Sequence, residues 1–107
     1  MHDKNLGISE YIDVYGSVLE SRQREIMDMY YNDDYSLSEI SEITGITRQA
    51  VCESIKKSTA RLDSLESKLH IIKRTKEFEK KRDIIKQIVN SDERFAELRG
   101  IISELTF

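Results

Sequence analysis

Four consecutive residues, from Thr47 to Ala50, have side-chain types and a spacing suited to nucleic-acid recognition. Arg48 can pair bidentately with guanine edges, and Gln49 can pair in the same way with adenine edges. Thr47 suits a phosphate contact, and Ala50 is small enough for bases to approach closely. If these residues open a helix, its unpaired backbone N–H groups add an anion-binding end before any side chain is counted.

Three further residues on the same predicted helix extend this candidate site. Lys56 and Lys57 suit phosphate contacts, which position a helix on the backbone without reading the base sequence. Glu53 could accept a hydrogen bond from cytosine, or could select against phosphates. The candidate DNA-binding residues are therefore Thr47, Arg48, Gln49, Ala50, Glu53, Lys56 and Lys57.

Two helix-capping signals on either side of one glycine would position these residues. Ser36 and Glu39 have the spacing of a capping box, and Thr47 can cap a second helix. Gly45 lies between them, where a helix must stop in a left-handed conformation. Residues 36–62 therefore predict a helix-turn-helix whose second helix enters the major groove. The predicted inward face of its first helix is Leu37, Ile40 and Ile43.

Apolar residues at three- and four-residue intervals predict further helices on both sides. One runs from Ser9 to about Leu19, and Ser21 can cap the next, which would carry an Ile26, Met29, Tyr30 stripe and end at a polar turn over 32–34. The recognition helix is predicted to be long, with an apolar seam from Val51 to Ile72. A helix after it carries Phe78, Ile85 and Ile88, and Ser91 can cap the last one.

The composition of the 107-residue chain also favours helices, because it contains no Pro or Trp and only four Gly. Such a length suits one domain with one modest core. We therefore predict an all-α fold of about six helices with a long recognition helix. The predicted organisation is a single domain over 1–107, with the helix-turn-helix at 36–62 and C-terminal helices at 73–107.

Several absences limit the classes of protein to which the chain could belong. Cys52 is the only cysteine and cannot form an internal disulfide, and neither His2 nor His70 has a partner pattern for metal. The sequence offers no phosphate-binding glycine loop and no convincing carboxylate pair. It also has no apolar run of about 18 residues and no signal-peptide-like start. We predict a cytoplasmic protein that is not an enzyme, has no cofactor and does not insert into a membrane.

Charge is distributed unevenly along the chain, whose formal net charge is −3. Residues 1–46 have a balance of −7, whereas residues 47–62 have a balance of +3 and residues 73–86 a balance of +4. The second basic block is a candidate RNA site, or a solvated helix face whose acidic residues form local ion pairs. The candidate RNA-binding residues are Lys73, Arg74, Lys76, Lys80, Lys81 and Arg82.

The stretches RQREIMDMYYNDDYSLSEIS and TRQAV closely resemble the YlxM family of small bacterial helix-turn-helix proteins, over about Tyr11 to Ile72. The chain is more distantly similar to region 4 of bacterial sigma factors, where a helix like Arg22 to Tyr31 leads into a helix-turn-helix like Ser36 to Leu62. The family features that carry over are the turn at Gly45 and the helix start at Thr47, Arg48, Gln49 and Ala50.

This resemblance implies an all-helical regulatory protein with duplex DNA as its partner. It also implies a link to the signal recognition particle pathway, because the family's gene tends to lie beside those of the particle's GTPase or its receptor. The alternative function is therefore a non-enzymatic interaction protein that binds this GTPase or the particle's RNA.

The C-terminal segment carries a candidate homodimer interface. A small helical domain that reads a two-fold site commonly dimerises, so we expect a homodimer. The N-terminal helix and the seam from Val51 to Ile72 are rival interfaces, and the C-terminal face could instead close the core of the monomer. That face consists of Phe95, Leu98, Ile101, Ile102 and Leu105.

Overall fold

Helices dominate the computed structural model, which describes residues 7–105. No strand occurs among those residues, and the prediction of an all-α fold with about six helices is confirmed. Three of the connections between these helices contain short helical turns: the 3₁₀ turns Gly16–Val18 and Glu93–Phe95 and the π-helical turn Asp28–Asn32. The six α-helices are α1 Gly7–Tyr15, α2 Ser21–Met27, α3 Leu37–Thr44, α4 Arg48–Leu69, α5 Ile71–Asn90 and α6 Ala96–Ser103.

None of the helices over 7–105 is both long enough and apolar enough to cross a membrane.

The chain divides after His70 into two compact units, one with α1 to α4 and one with α5 and α6. His70 ends α4 in a left-handed conformation, with φ 54°, and Ile72 belongs to α5. The prediction of one helix continuing to Ile72 is therefore wrong. The four-and-three spacing of apolar residues continues across His70 from Leu69 to Ile72, so it carried no sign of this break. The single domain over 1–107 stays a prediction.

The first unit is built around α4, which packs against α1, α2 and α3. Each of these helices buries apolar side chains, as expected for amphipathic helices that share one core. The hydroxyl of Tyr15 in α1 donates a hydrogen bond to the Glu66 carboxylate in α4, which adds a polar link between the two helices. The fully buried apolar side chains of this unit are Ile12, Ile26, Met27, Ile40, Val51 and Leu62.

The predicted seam of α4 is confirmed over its first four turns only. Val51, Ile55, Ser58 and Leu62 are buried, whereas Leu69 is 48% exposed. Ser58 is only 1% exposed, and its hydroxyl has no hydrogen-bond partner within the described part of the chain. Burying a hydroxyl without a hydrogen-bond partner is unfavourable, so Ser58 is a destabilising polar group within the seam.

The end of α2 differs from the prediction because the helix continues into a π-helical turn. There the Asp33 N–H bonds to the Asp28 carbonyl five residues earlier, at 3.0 Å. The Asn32 amide donates to the Asp28 carboxylate, and the Ser9 hydroxyl of α1 donates to the Asn32 side chain. Asp34 then adopts a left-handed φ of 57°, which ends the helix within the predicted polar turn.

The buried side chains around this turn differ from the predicted stripe. Ile26 is buried as predicted, but its fully buried neighbour is Met27, and Met29 and Tyr30 are only half-buried. A π-helical turn rotates the residues that follow it relative to an ordinary α-helix. The predicted stripe is therefore confirmed at Ile26, is only half-buried at Met29 and Tyr30, and omits Met27.

Two predicted caps are displaced by one residue. Glu20, not Ser21, precedes α2, and its backbone N–H donates to the Gln23 side chain. Asp92, not Ser91, caps the turn before α6 by accepting from the Arg94 N–H at 2.9 Å. Hydrogen bonds from the Arg94 side chain and backbone lower the pKa of Asp92. Several adjacent residues could cap at both places, and the path of the chain decided between them.

In the second unit, Ile72, Val89 and Ile102 are buried. Arg99 donates to the carbonyls of Val89 and Asp92 at 3.4 Å, which gives partners to backbone groups at the end of α5 and after it. The unit also leaves many large apolar side chains exposed: Ile71, Phe78, Ile84, Ile85, Ile88, Leu98, Ile101 and Leu105.

Candidate nucleic-acid interface

The first helix of the predicted helix-turn-helix begins with the predicted capping box. Ser36 Oγ accepts a hydrogen bond from the Glu39 N–H at 3.0 Å, and Glu39 Oε1 accepts one from the Ser36 N–H at 3.1 Å. Two of the unpaired N–H groups in this region thereby obtain partners within the sequence SLSE. The start of α3 is therefore determined locally.

The inward face of α3 is narrower than predicted. Ile40 is fully buried, Leu37 is half-buried and Ile43 is 59% exposed. The eight-residue α3 packs against α4, and Ile40 is its one fully buried residue. The prediction is therefore right for Ile40 and wrong for Ile43.

The turn between α3 and α4 depends on a left-handed glycine and two side chains that satisfy backbone carbonyls. Gly45 has φ 76° and ψ 8°, and its N–H bonds to the Ser41 carbonyl at 2.9 Å. The Ser41 hydroxyl donates to the Ile46 carbonyl at 2.6 Å, across the turn. Arg22 of α2 donates to the Thr44 carbonyl at 3.3 Å. The sequence pointed to Gly45, but not to Ser41 or Arg22.

The second helix begins at the predicted cap. Thr47 has an extended backbone, with φ −66° and ψ 154°, and its side-chain oxygen accepts from the Ala50 N–H at 3.0 Å. Thr47, Arg48, Gln49 and Ala50 are all exposed, whereas Val51 is fully buried. Val51 thus anchors the first turn of α4 while the four residues before it face outward.

The remaining predicted DNA-binding residues continue this outward surface. Glu53, Lys56 and Lys57 are exposed on α4. Gln49, Glu53 and Lys56 follow one another at spacings of four and three residues, so they lie on one face of the helix. The structure therefore brings the predicted residues together on the side of α4 that faces away from the core.

A shallow, open groove lies beside this surface, between the start of α3 and the first two turns of α4. Its volume is about 420 Å³, and it is lined by Leu37, Arg48, Gln49 and Cys52. Leu37 and Cys52 are half-buried, while Arg48 and Gln49 are exposed. Neither Leu37 nor Cys52 is among the predicted DNA-binding residues. The available signal was spacing, because Cys52 lies four residues after Arg48 and three after Gln49.

The candidate RNA-binding residues all lie on α5 but differ in their surroundings. Arg82 is half-buried; its guanidinium donates to the Leu105 carbonyl at 3.1 Å and pairs with Asp83 at 3.3 Å. Arg82 is therefore part of the contact between α5 and the end of the second unit. The exposed members are Lys73, Arg74, Lys76, Lys80 and Lys81.

Metal-binding geometry is absent from residues 7–105: they contain no group of three or more His, Cys, Asp or Glu side chains that could hold an ion. His70 occupies the left-handed end of α4, and His2 lies outside the described residues.

A capped eight-residue helix, a left-handed glycine and a long second helix with an exposed first turn define a helix-turn-helix protein. A family model described as "UPF0122: Putative helix-turn-helix protein, YlxM / p13 like" matches residues 2–104. The chain belongs to this family, and the predicted resemblance to YlxM is confirmed. This match over residues 2–104 extends beyond the region from about Tyr11 to Ile72 that carries the sequence motifs.

Curated relatives are similar in sequence to this chain over nearly its whole length. A UPF0122 protein of Thermoanaerobacter sp. strain X514 is 42% identical over 108 residues, covering 98% of this chain and 92% of the relative. A UPF0122 protein of Halalkalibacterium halodurans is 37% identical, covering 98% and 96%. The UPF0122 protein YlxM of Bacillus subtilis strain 168 is 33% identical, covering 96% and 94%.

The turn geometry generates a stability prediction at Gly45. A Cβ added there would meet nothing within 4 Å, so any penalty for a side chain comes from the positive φ alone. Gly45→Ala should lower the free energy of unfolding by about 1 kcal/mol. Gly45→Asn should lose clearly less, because asparagine tolerates the left-handed region better than alanine. Urea unfolding followed by far-UV circular dichroism measures both, and equal losses would contradict the backbone explanation.

Proposed function

We propose that this protein is a cytoplasmic, non-enzymatic regulator that binds duplex DNA through the first two to three turns of α4. The observation that carries the proposal is the start of this helix: Thr47 caps it, four consecutive residues are exposed, and Val51 holds it in the core. An exposed helix N-terminus with Arg and Gln in its first turn suits insertion into a major groove. The proposed contact residues are Thr47, Arg48, Gln49, Ala50, Glu53, Lys56 and Lys57.

Charge supports a local DNA site on an otherwise acidic chain. The formal net charge is −3, whereas residues 47–62 carry four basic residues and one acidic residue. Phosphate contacts dominate the affinity of proteins for DNA, and short-range basic clusters supply them even when the net charge is negative. The acidic balance of residues 1–46 would then limit binding to the α4 surface.

Base reading and phosphate contact should be separable by mutation. Arg48→Ala should weaken binding to the preferred duplex by about 1 to 3 kcal/mol and relax one base preference, because it removes a bidentate contact. Lys57→Ala should weaken binding to all sequences similarly and reduce the salt slope by about one. Affinities would be measured by fluorescence anisotropy over a salt series, with duplexes selected from a randomised library.

Lys68→Ala is the matched control for this experiment. Lys68 is exposed on the same helix, about 30 Å from Arg48 at 1.5 Å per residue, so its loss should leave affinity and salt slope unchanged. If Arg48→Ala and Lys57→Ala instead affect every sequence equally, the base-reading role of Arg48 is wrong. If no duplex is enriched, the DNA-binding proposal is wrong.

We further propose that the protein acts as a homodimer formed through its C-terminal helices, within residues 73–107. The second unit buries few large apolar residues and exposes many, including Ile85 and Ile101. Many exposed apolar side chains in so small a unit are typical of an interface, and two-fold dimers match two-fold operators.

The interface can be located by placing a charge at equally exposed positions. Ile85 is 46% exposed and Leu69 is 48% exposed, so Ile85→Glu and Leu69→Glu disturb surfaces of similar accessibility. We expect Ile85→Glu to shift sedimentation equilibrium from dimer to monomer, because a buried glutamate would lose its hydration. Leu69→Glu should leave the dimer intact. If Leu69→Glu gives a monomer and Ile85→Glu stays dimeric, the interface lies at the α4 seam. A monomeric wild-type protein would refute dimerisation.

The exposed basic residues of α5 favour a second candidate function, contact with the RNA of the signal recognition particle. Lys73, Lys76 and Lys80 follow one another at spacings of three and four residues, so they form a stripe on one face of the helix. Such a stripe can track a phosphate backbone. The other version of this second function is that the protein binds the GTPase of the signal recognition particle instead of its RNA.

Paired charge reversals would distinguish the two functions. Lys80→Glu/Lys81→Glu should abolish binding to purified particle RNA if α5 is an RNA site, since it replaces attraction to phosphates by repulsion. Arg82 is left unchanged because its guanidinium bonds to the Leu105 carbonyl. The matched control is Lys56→Glu/Lys57→Glu, which should abolish binding to duplex DNA only. RNA binding that survives the α5 reversal would refute the α5 site.

A further inference from the structure

The groove beside the first turns of α4 combines an apolar wall with polar groups at its rim. Leu37, at the start of α3, and Cys52, in the second turn of α4, supply the apolar part. Both are half-buried, so they present surface to the groove without belonging fully to the core. Arg48 and Gln49 stand exposed beside them.

The charge around the groove indicates an anionic occupant. The groove opens beside the N-terminal turn of α4, and Lys56 lies four residues after Cys52 on the same side of the helix. On the α4 side, the positive end of the helix, Arg48 and Lys56 outweigh Glu53 and favour a polyanion over an apolar peptide, whereas α3 contributes Glu39 near Leu37. An occupant must therefore carry negative charge and also place a small apolar group against Leu37 and Cys52.

Duplex DNA meets both requirements at thymine. The 5-methyl group of thymine is the apolar group that base edges display in the major groove, and proteins recognise it by apolar contact. Uracil lacks this methyl group, so the same contact would also favour DNA over RNA at that position.

We propose that Cys52 and Leu37 form a receptor for the 5-methyl group of a thymine, and are thus specificity-determining residues next to Arg48 and Gln49. This inference rests on the DNA-binding function proposed above. With Gln49 suited to adenine and Arg48 suited to guanine, the groove extends the predicted recognition to a neighbouring A·T pair. The sulfur and methylene of Cys52 make apolar contact, and the groove leaves room for the methyl-bearing base edge.

The test uses the full chain and the duplex enriched from a randomised library, in which each thymine is replaced singly by deoxyuridine. We expect one thymine in each half-site at which the replacement lowers affinity about fourfold, the factor that corresponds to removing one methyl-sized apolar contact. Replacement at the other positions of the duplex serves as the internal control.

Two variants assign the effect to the groove. Cys52→Ser retains the size of the side chain but makes it polar, and Cys52→Ala is favourable in a helix and shortens the contact. Both should bind the thymine duplex about as weakly as the wild type binds the deoxyuridine duplex, with no further loss on deoxyuridine replacement. Their unfolding curves would show that the fold is retained.

The outcomes separate this inference from the function on which it rests. If Arg48-dependent, sequence-specific binding persists but no thymine is sensitive to deoxyuridine, the methyl receptor is refuted and DNA binding stands. The same holds if the Cys52 variants remain as sensitive as the wild type. If no duplex is enriched at all, both proposals are overturned.

Discussion

Between Thr44 and Thr47 the chain must end one helix and start another, and four hydrogen bonds give partners to backbone groups there. Gly45 supplies the left-handed turn, and the Ser41 hydroxyl donates a hydrogen bond to the Ile46 carbonyl. Arg22 donates to the Thr44 carbonyl, and the Thr47 side chain accepts a hydrogen bond from the Ala50 N–H of the next helix. Because these bonds fix where and in which direction α4 starts, the exposure of its first turn depends on them.

The periodicity of α4 then divides one helix between two roles. Val51, Ile55 and Leu62 face the core that α1, α2 and α3 share. Gln49, Glu53 and Lys56 lie on the opposite side, because residues three or four apart recur on the same face. The same packing that stabilises the first unit therefore presents the proposed recognition surface. A substitution in the buried seam would therefore change the orientation of α4 and with it the position of the exposed recognition residues.

The local character of this surface explains how an acidic chain could bind DNA. Charges separated by more than a Debye length, about 8 Å in physiological salt, are largely screened, so a short basic segment acts without the rest of the chain. The second unit differs in its chemistry: it combines exposed lysines with many exposed apolar side chains. Its properties suit interaction with other macromolecules, which is why the proposals for dimerisation and for RNA contact both concern it.

The sequence by itself determined the features whose physics is local. The capping box at Ser36 and Glu39, the stop at Gly45 and the cap at Thr47 depend on residues within a few positions of one another, and the structure contains each of them. The all-α class followed in the same way from helical periodicity and composition.

Tertiary structure alone decided the features that join distant residues or depend on crowding. The bond from Arg22 to Thr44 crosses between helices, and the groove joins Leu37 to Cys52. The break at His70 was likewise not predicted, because the three- and four-residue spacing of apolar residues continues across it from Leu69 to Ile72. Local propensities are encoded residue by residue, whereas such contacts exist only once the helices have packed.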